Sequence, residues 1–445
     1  MASRHGPGGR LGGAVCPLLV VAAFGPYLPL PGVRTEQVVV YLAFLVTLLS
    51  GHWTRVPVGG TAVVLGLLTT ILLIAVMGTF GPVPLMTSWP AGSVTAGLDN
   101  LLLPIAVVLT VGATVHLGVD RRRTLTVVCR LLVAGMCANA ILAYASTLTD
   151  LSPVLARWWN NGPVDDLMTD TVAGRASGLG RFSGIFNQPA EAGIAYALAL
   201  FAALYLAREA AALYGVAAVV IAVGGVLSVS KVFLLIGLPI ALWQAIRHTS
   251  GRRLAPIVAA MAVVVMAYQV SGADWAGAGY LTRLFGAGDD VLGWYTAGRI
   301  GDESTLYPLV LAVLRESPWF GFGAGGLAAP YDNGWVEALC VAGLAGVVIY
   351  TAVLGVLVAL WLRKPTDLEP ATARFAGGVV LVLTLGSVGV PALTANRVAT
   401  LAWVLLTLLL LARPDAVREP NPPVRIPARI ATRHACGRAP VGQGG

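Results

Sequence analysis

"VGGTAVVLGLLTTILLIAVMGTF", residues 58–80, runs for 23 positions without a charged side chain. At about 1.5 Å per residue a helix of that length covers about 34 Å, enough to cross the roughly 30 Å hydrocarbon core of a bilayer. The chain around it has the same character: of 445 residues, 57% are hydrophobic and 11% charged. Further apolar runs lie near 14–31, 36–51, 100–118, 125–148, 190–207, 210–228, 231–246, 254–271, 334–361, 375–391 and 396–412. This pattern predicts an all-α fold: a polytopic transmembrane helical bundle of about twelve spans.

Arg4 and Arg10 precede the first run as they would in a signal peptide, but no small-residue cleavage site follows, so it is read as a retained helix. Arg55, Arg121–Arg123, Arg208, Arg247, Arg252, Arg253, Arg363 and Lys364 fall on alternate connections. The positive-inside rule turns those loops, and with them both termini, to the cytoplasm. The predicted cytoplasmic segments carry 19 basic and 6 acidic residues, so the net charge of +8 expresses orientation and is no nucleic-acid signal. The expected organisation is a tail at 1–13, a membrane domain at 14–412 and a basic, Pro- and Gly-rich disordered tail at 413–445. Four of the five cysteines fall in predicted spans, which excludes a disulfide framework.

Two outer loops, about 149–189 and 272–333, are long and hold aromatic residues, as functional loops do and disordered linkers do not. In the second, "STLYPLVLAVLR" at 304–315 has helical spacing and predicts an amphipathic helix on the outer interface. The "GFGAGG" that follows, at 321–326, is no nucleotide fingerprint, because no strand precedes it.

Polar residues collect at the outer mouths. "GRFSGIFNQPAEAG" at 180–193 holds Arg181, Asn187, Gln188 and Glu191; "SVSKVF" holds Lys231; "TAGRIGDES" holds Arg299; "YDNGWVE" holds Asp332, Asn333 and Glu337. Arginine forks suit a phosphate or diphosphate through paired charge-assisted hydrogen bonds, and Lys231 adds a point charge. Structural readings stand beside this one. Arg181 also fits an interfacial anchor or a partner of Glu191, Asn187–Gln188–Pro189 a helix cap, Lys231 a snorkelling side chain, and Asp332 a turn residue. The acid pairs Asp165–Asp166 and Asp289–Asp290 fit a metal site but fit solvated loop turns better, and no cofactor is expected.

With these residues in place, the chain resembles the O-antigen polymerase and ligase superfamily of integral membrane glycosyltransferases. The resemblance rests on the 180–193 segment, similar to that family's Arg-x-x-Gly-x-Phe-x-x-Pro, and on "LSVSKVFLLIG" at 227–237, "GRIGDES" at 298–304, and "SPWFGFGAGG" with "YDNGWVEALCVAGLAGVVIY" at 317–350. It covers most of residues 36–412. It implies transfer of glycan from a polyprenyl-diphosphate-linked oligosaccharide to a saccharide acceptor at the outer face of a bacterial plasma (inner) membrane, with inversion at the sugar and neither nucleotide donor nor metal. Membrane lipids and other polysaccharide-assembly proteins are the implied partners. Arg181 and Arg299 would hold the diphosphate and stabilise its growing charge. Lys231, Asn187, Gln188, Glu191, Asn333 and Glu337 would contribute to substrate binding.

The resemblance has one departure. Ligase-type members commonly place a His before the Asn of the segment matching "YDNGW"; here Asp332 stands there, and His5, His52, His116, His248 and His434 all fall on the predicted cytoplasmic side. The expected proton acceptor is then a carboxylate, Asp332 before Glu337 or Glu191. That favours a polysaccharide polymerase over a ligase that passes finished glycan to a lipid, protein or wall acceptor. A flippase for the same lipids and an inactive scaffold are the competing classes.

Overall fold

The computed structural model describes residues 7–248 apart from 30–31, 56–58, 82, 86–88 and 160–170, together with 277 and 306–411 apart from 329–330, 364–368 and 395. The run 254–271 and Arg299 lie outside the described residues, as do the acid pairs, residues 1–6 and the tail at 413–445; the first helix begins at Pro7, inside the segment 1–13 expected to be a tail.

Among the described residues every regular element is helical. In chain order they are α1 (Pro7–Ala23), α2 (Thr35–Leu49), α3 (Gly60–Gly78), α4 (Val94–His116), α5 (Arg121–Leu148), the short α6 (Ser152–Trp158) and α7 (Val172–Gly178), α8 (Pro189–Leu206) and α9 (Ala211–Leu227). A π-helical turn (Val232–Gly237) then leads into α10 (Leu238–His248). After it come α11 (Leu306–Glu316), α12 (Gly334–Leu362), α13 (Pro370–Gly386) and α14 (Asn396–Leu406), the last running into a second π-helical turn (Thr407–Leu411).

Five of these, α3, α4, α5, α8 and α12, are long and apolar enough to cross a membrane, which makes the chain a multi-pass helical membrane protein. Six more apolar helices of 10–17 residues coincide with other predicted runs but are shorter than a full span. Some of the predicted runs are longer than their helices because hydropathy also counts the apolar residues of flanking turns. The predicted run 14–31 shows this: α1 stops at Ala23, and the chain turns back through Leu28 N donating to Val33 O (2.8 Å) and Thr35 N donating to Pro26 O (3.1 Å).

Packing follows from composition. Helix α8 is apolar on every face and is buried on nearly all of them, between α5, α9 and α13. Residues 398–411 are likewise buried throughout, so α8 and α14 form the centre of the bundle.

Loops gather at two ends. At one, Thr61 Oγ1 donates to Leu411 O (2.7 Å), Arg121 donates to the carbonyls of Leu408 and Leu409, and Glu369 joins Arg122 and Arg208. At the other, Phe182 N donates to Leu227 O (2.9 Å), Ala324 N to Thr79 Oγ1 (3.0 Å), and Gly334 N to Ser387 O (2.8 Å). The first end is strongly basic. The second holds the polar segments singled out in the sequence.

Helix α11 begins two residues after the start of the expected amphipathic segment. It buries Leu306, Leu309, Ala312 and Val313 against α12 and leaves Tyr307 and Leu314 exposed.

Candidate functional site

Helix α12 is interrupted at Ala342 (φ −137°) and Gly343 (φ +63°). An interruption in an apolar bundle leaves backbone groups without intrahelical partners, and these must be satisfied inside the protein. The segment 317–328 does so: Phe322 N donates to Cys340 O (2.8 Å) and Leu344 N to Pro318 O (2.7 Å). The same segment reaches the ends of α3 and α4, where Gly92 N donates to Gly326 O (3.1 Å) and Ala328 N to Pro90 O (2.8 Å). The glycines are required here. A Cβ on Gly97 would fall 1.6 Å from Ala324 O, and Gly323 has φ +80° against the backbone of Thr79. The "GFGAGG" motif is thus a backbone weave that ties α3, α4 and α12 together.

Beneath this weave lies a cavity of about 200 Å³. Ser93, Asn100, Tyr331, Glu337 and Thr394 give it polar walls, while Ile71, Leu101 and Val341 form an apolar floor. Glu337, in the first turn of α12, is half-buried, and Thr394 Oγ1 donates to its Oε2. Tyr331 fixes the rim by donating to Leu327 O (2.7 Å), and burial raises its phenol pKa, so it stays a neutral hydroxyl. Among the described residues no Lys, Arg or His lines it.

The 386–389 turn separates this cavity from Lys231. On one side Gly334 N and Asn333 Nδ2 donate to Ser387 O (2.8 Å) and Val388 O (3.2 Å). On the other, Val232 packs so closely that a Cβ on Gly386 or Gly389 would meet it at 3.0 or 3.2 Å. Lys231 is half-buried and follows Val229, whose φ of +44° is unusual for a β-branched residue and marks a constrained turn. Arg181, also half-buried, sits in a turn at Gly180 (φ +72°) that the Phe182–Leu227 hydrogen bond holds against the start of the Lys231 turn.

The remaining site residues predicted from sequence have visible structural engagements. Asn333 caps α12, its Oδ1 accepting from Trp335 N (2.8 Å) and Val336 N (3.3 Å). Gln188 is the N-cap residue of α8 but makes no side-chain cap. Asn187 N donates to Glu191 Oε2 (3.2 Å) and Asn187 Nδ2 to Tyr27 OH (3.2 Å). Asp332 is half-buried in the turn before α12 and does not line the cavity.

Glu191 is fully buried, and its electrostatic partners are Arg397 and Arg34 rather than the expected Arg181. It belongs to an ionic cluster that sequence reasoning missed. Arg34 pairs with Glu36 (3.2 Å) and Asp99 (3.0 Å); Asp99 also accepts from Gln37 (2.6 Å) and Tyr41 (2.6 Å). Arg397, fully buried, donates to Trp159 O (3.0 Å), Ile185 O (2.9 Å) and Gly25 O (3.2 Å), and so clasps the α1–α2 turn and the 149–189 loop. The available signal was four charges placed in or beside apolar runs, where ionisable residues are costly and paired. Among the described residues no three His, Cys, Asp or Glu side chains are grouped to hold a metal.

Comparison of the chain with protein-family models and with curated proteins gives no match.

Proposed function

We propose that this protein is a polymerase of a cell-surface polysaccharide in the bacterial plasma membrane, moving glycan from a polyprenyl diphosphate onto a saccharide acceptor at the outer face. The observation that carries this reading is a separation of charge at the non-basic end of the bundle. Arg181 and Lys231 occupy one pair of adjoining turns, and a cavity whose described lining holds the Glu337 carboxyl and no cation lies across the 386–389 turn. Cations suit the diphosphate, and an acidic, hydroxyl-lined cavity suits the acceptor.

In the reaction the acceptor hydroxyl oxygen attacks the anomeric carbon from the face opposite the diphosphate. The bond from that carbon to the phosphate oxygen breaks, and its electron pair leaves with the diphosphate, whose charge Arg181 and Lys231 stabilise. The hydroxyl proton passes to a carboxylate, and Glu337 is better placed than Asp332 because it faces the cavity. Arg299 keeps the diphosphate-binding role that the resemblance to the O-antigen polymerase and ligase superfamily implies. The basic end, with Arg121–Arg123, Arg208 and Arg363, faces the cytoplasm, and the shorter helices together with 254–271 complete about twelve spans with both termini inside. On this orientation α11 lies at the outer interface.

The test is the length distribution and leaflet of polyprenyl-linked glycans in cells. Loss of the protein, or Arg181→Ala in protein that still accumulates, is expected to leave single repeat units on the outer leaflet. Normal polymer from Arg181→Ala overturns the reading. Long chains stranded on the carrier assign a ligase instead, and units held on the inner leaflet assign a flippase.

A further inference from the structure

The cavity beneath the "GFGAGG" weave is chemically distinct from the cationic turns beside it, and its size, charge and lining constrain what enters it. We infer that it is a subsite for one pyranose ring of a saccharide, held through its hydroxyls with Glu337 as the anchoring acceptor. That the ring belongs to the acceptor rests on the glycosyl-transfer reading above; the subsite itself does not.

Size sets the first limit. Pockets for drug-sized ligands run from about 300 to 1,000 Å³. At about 200 Å³ this one admits a single ring and excludes an oligosaccharide or a polyprenyl chain.

Charge sets the second. Among the described residues the lining holds one carboxyl group and no cation, so none of them pairs with a phosphate or other anion. A carboxylate in a poorly solvated site needs a proton donor. Thr394 supplies one to Oε2, and a ligand hydroxyl supplies the next.

The mixture of groups sets the third. Asn100 and Ser93 carry donors and acceptors together, which matches a polyol, whose hydroxyls are both. A quaternary ammonium has no proton to give and would leave them unmatched. The apolar floor takes the C–H face of a ring.

The experiment is photolabelling of the full-length protein in nanodiscs with a hexopyranoside bearing a small diazirine, mapped by mass spectrometry. Labels are expected within 92–101 and 324–341, displaced by methyl hexopyranosides and not by inorganic phosphate or tetramethylammonium. Ala96→Trp, at the exposed rim, is expected to abolish labelling without burying a new group. Glu337→Gln, which keeps the acceptor for Thr394, is expected to weaken it about tenfold. Labelling elsewhere, labelling indifferent to Ala96→Trp and Glu337→Gln, or displacement by tetramethylammonium in place of hexosides overturns the inference.

The two readings fail separately. Labelling as expected with normal polymer from Arg181→Ala keeps the subsite and removes the polymerase. Polymer that depends on Arg181 but survives Ala96→Trp removes the subsite alone.

Discussion

Replacing Arg397 by Met removes the clasp that joins three distant parts of the non-basic end while conserving most of the side-chain volume. The guanidinium donates to Ile185 O in a fully buried bond and to Trp159 O and Gly25 O in partly buried ones. A buried carbonyl left without a donor costs about 1–3 kcal/mol, and the two partly buried carbonyls recover part of that from water, giving about 2–6 kcal/mol in all. Met avoids desolvating a guanidinium, but Glu191 and Glu36 lose their Coulombic partner. Breaking one side of a buried charge arrangement costs about 3–5 kcal/mol, in the same range, so the expected loss is about 4 kcal/mol. On a chain of this size that lowers Tm by about 4 °C.

The assay is thermal unfolding of purified protein in a fixed detergent, followed by tryptophan fluorescence and size exclusion. Arg397→Lys, which keeps the charge but not the three-way fork, is expected to fall between wild type and Arg397→Met. If the carbonyl clasp dominates, adding Glu191→Gln to Arg397→Met recovers no more than about 1 kcal/mol. A Tm for Arg397→Met within about 2 °C of wild type refutes the reasoning. Full recovery in the double variant would show that charge, and not the clasp, is what Arg397 supplies.

Three further outcomes are expected. Asn333→Ala loses the cap of α12 and about 1 kcal/mol, while Asn333→Ser, another good cap, retains stability and polymer formation; a loss of polymer in the stable Ser variant would give Asn333 a role beyond capping. Gly97→Ala places a Cβ against Ala324 O and forces the weave away from α4, so it lowers Tm and abolishes hexoside labelling together, as mass spectrometry and unfolding of one preparation would show. The Arg208 hydrogen bond holds the Glu369 carboxyl below its usual range, so this carboxylate's contribution to stability is present above the unfolded-state value and is lost as pH falls through the folded one; Glu369 is exposed, so the difference in Tm between wild type and Glu369→Gln should be small at neutral pH and vanish in acid.

The helices were legible where the signal was local. Residues 58–80 contain α3, and the cue for α8 at Pro189 is a Pro in the first turn, read at the start of the helix; the cap that Asn333 gives α12 was not read from the sequence. The polar segments at 180–193 and 331–337 were equally visible, because a charge or amide inside an apolar chain stands out by composition alone. Pairing was not. Arg181 lies ten positions from Glu191 in sequence, yet the cations whose charge acts on Glu191 are Arg397, 206 positions away, and Arg34, 157 positions away.

The sequence alone therefore determined that this protein is a helical membrane protein and roughly where its helices run, since crossing a bilayer depends on the hydropathy of contiguous residues. Only the tertiary structure decided which polar residue does what. It assigned "GFGAGG" to mending a broken helix, gave Arg397 the carbonyls of three separate segments, and set Glu337, not Asp332, in the cavity wall. Those outcomes depend on which helices become neighbours. A buried charge or an orphaned backbone group takes whatever partner packing brings within about 3 Å, and chain order does not encode that directly.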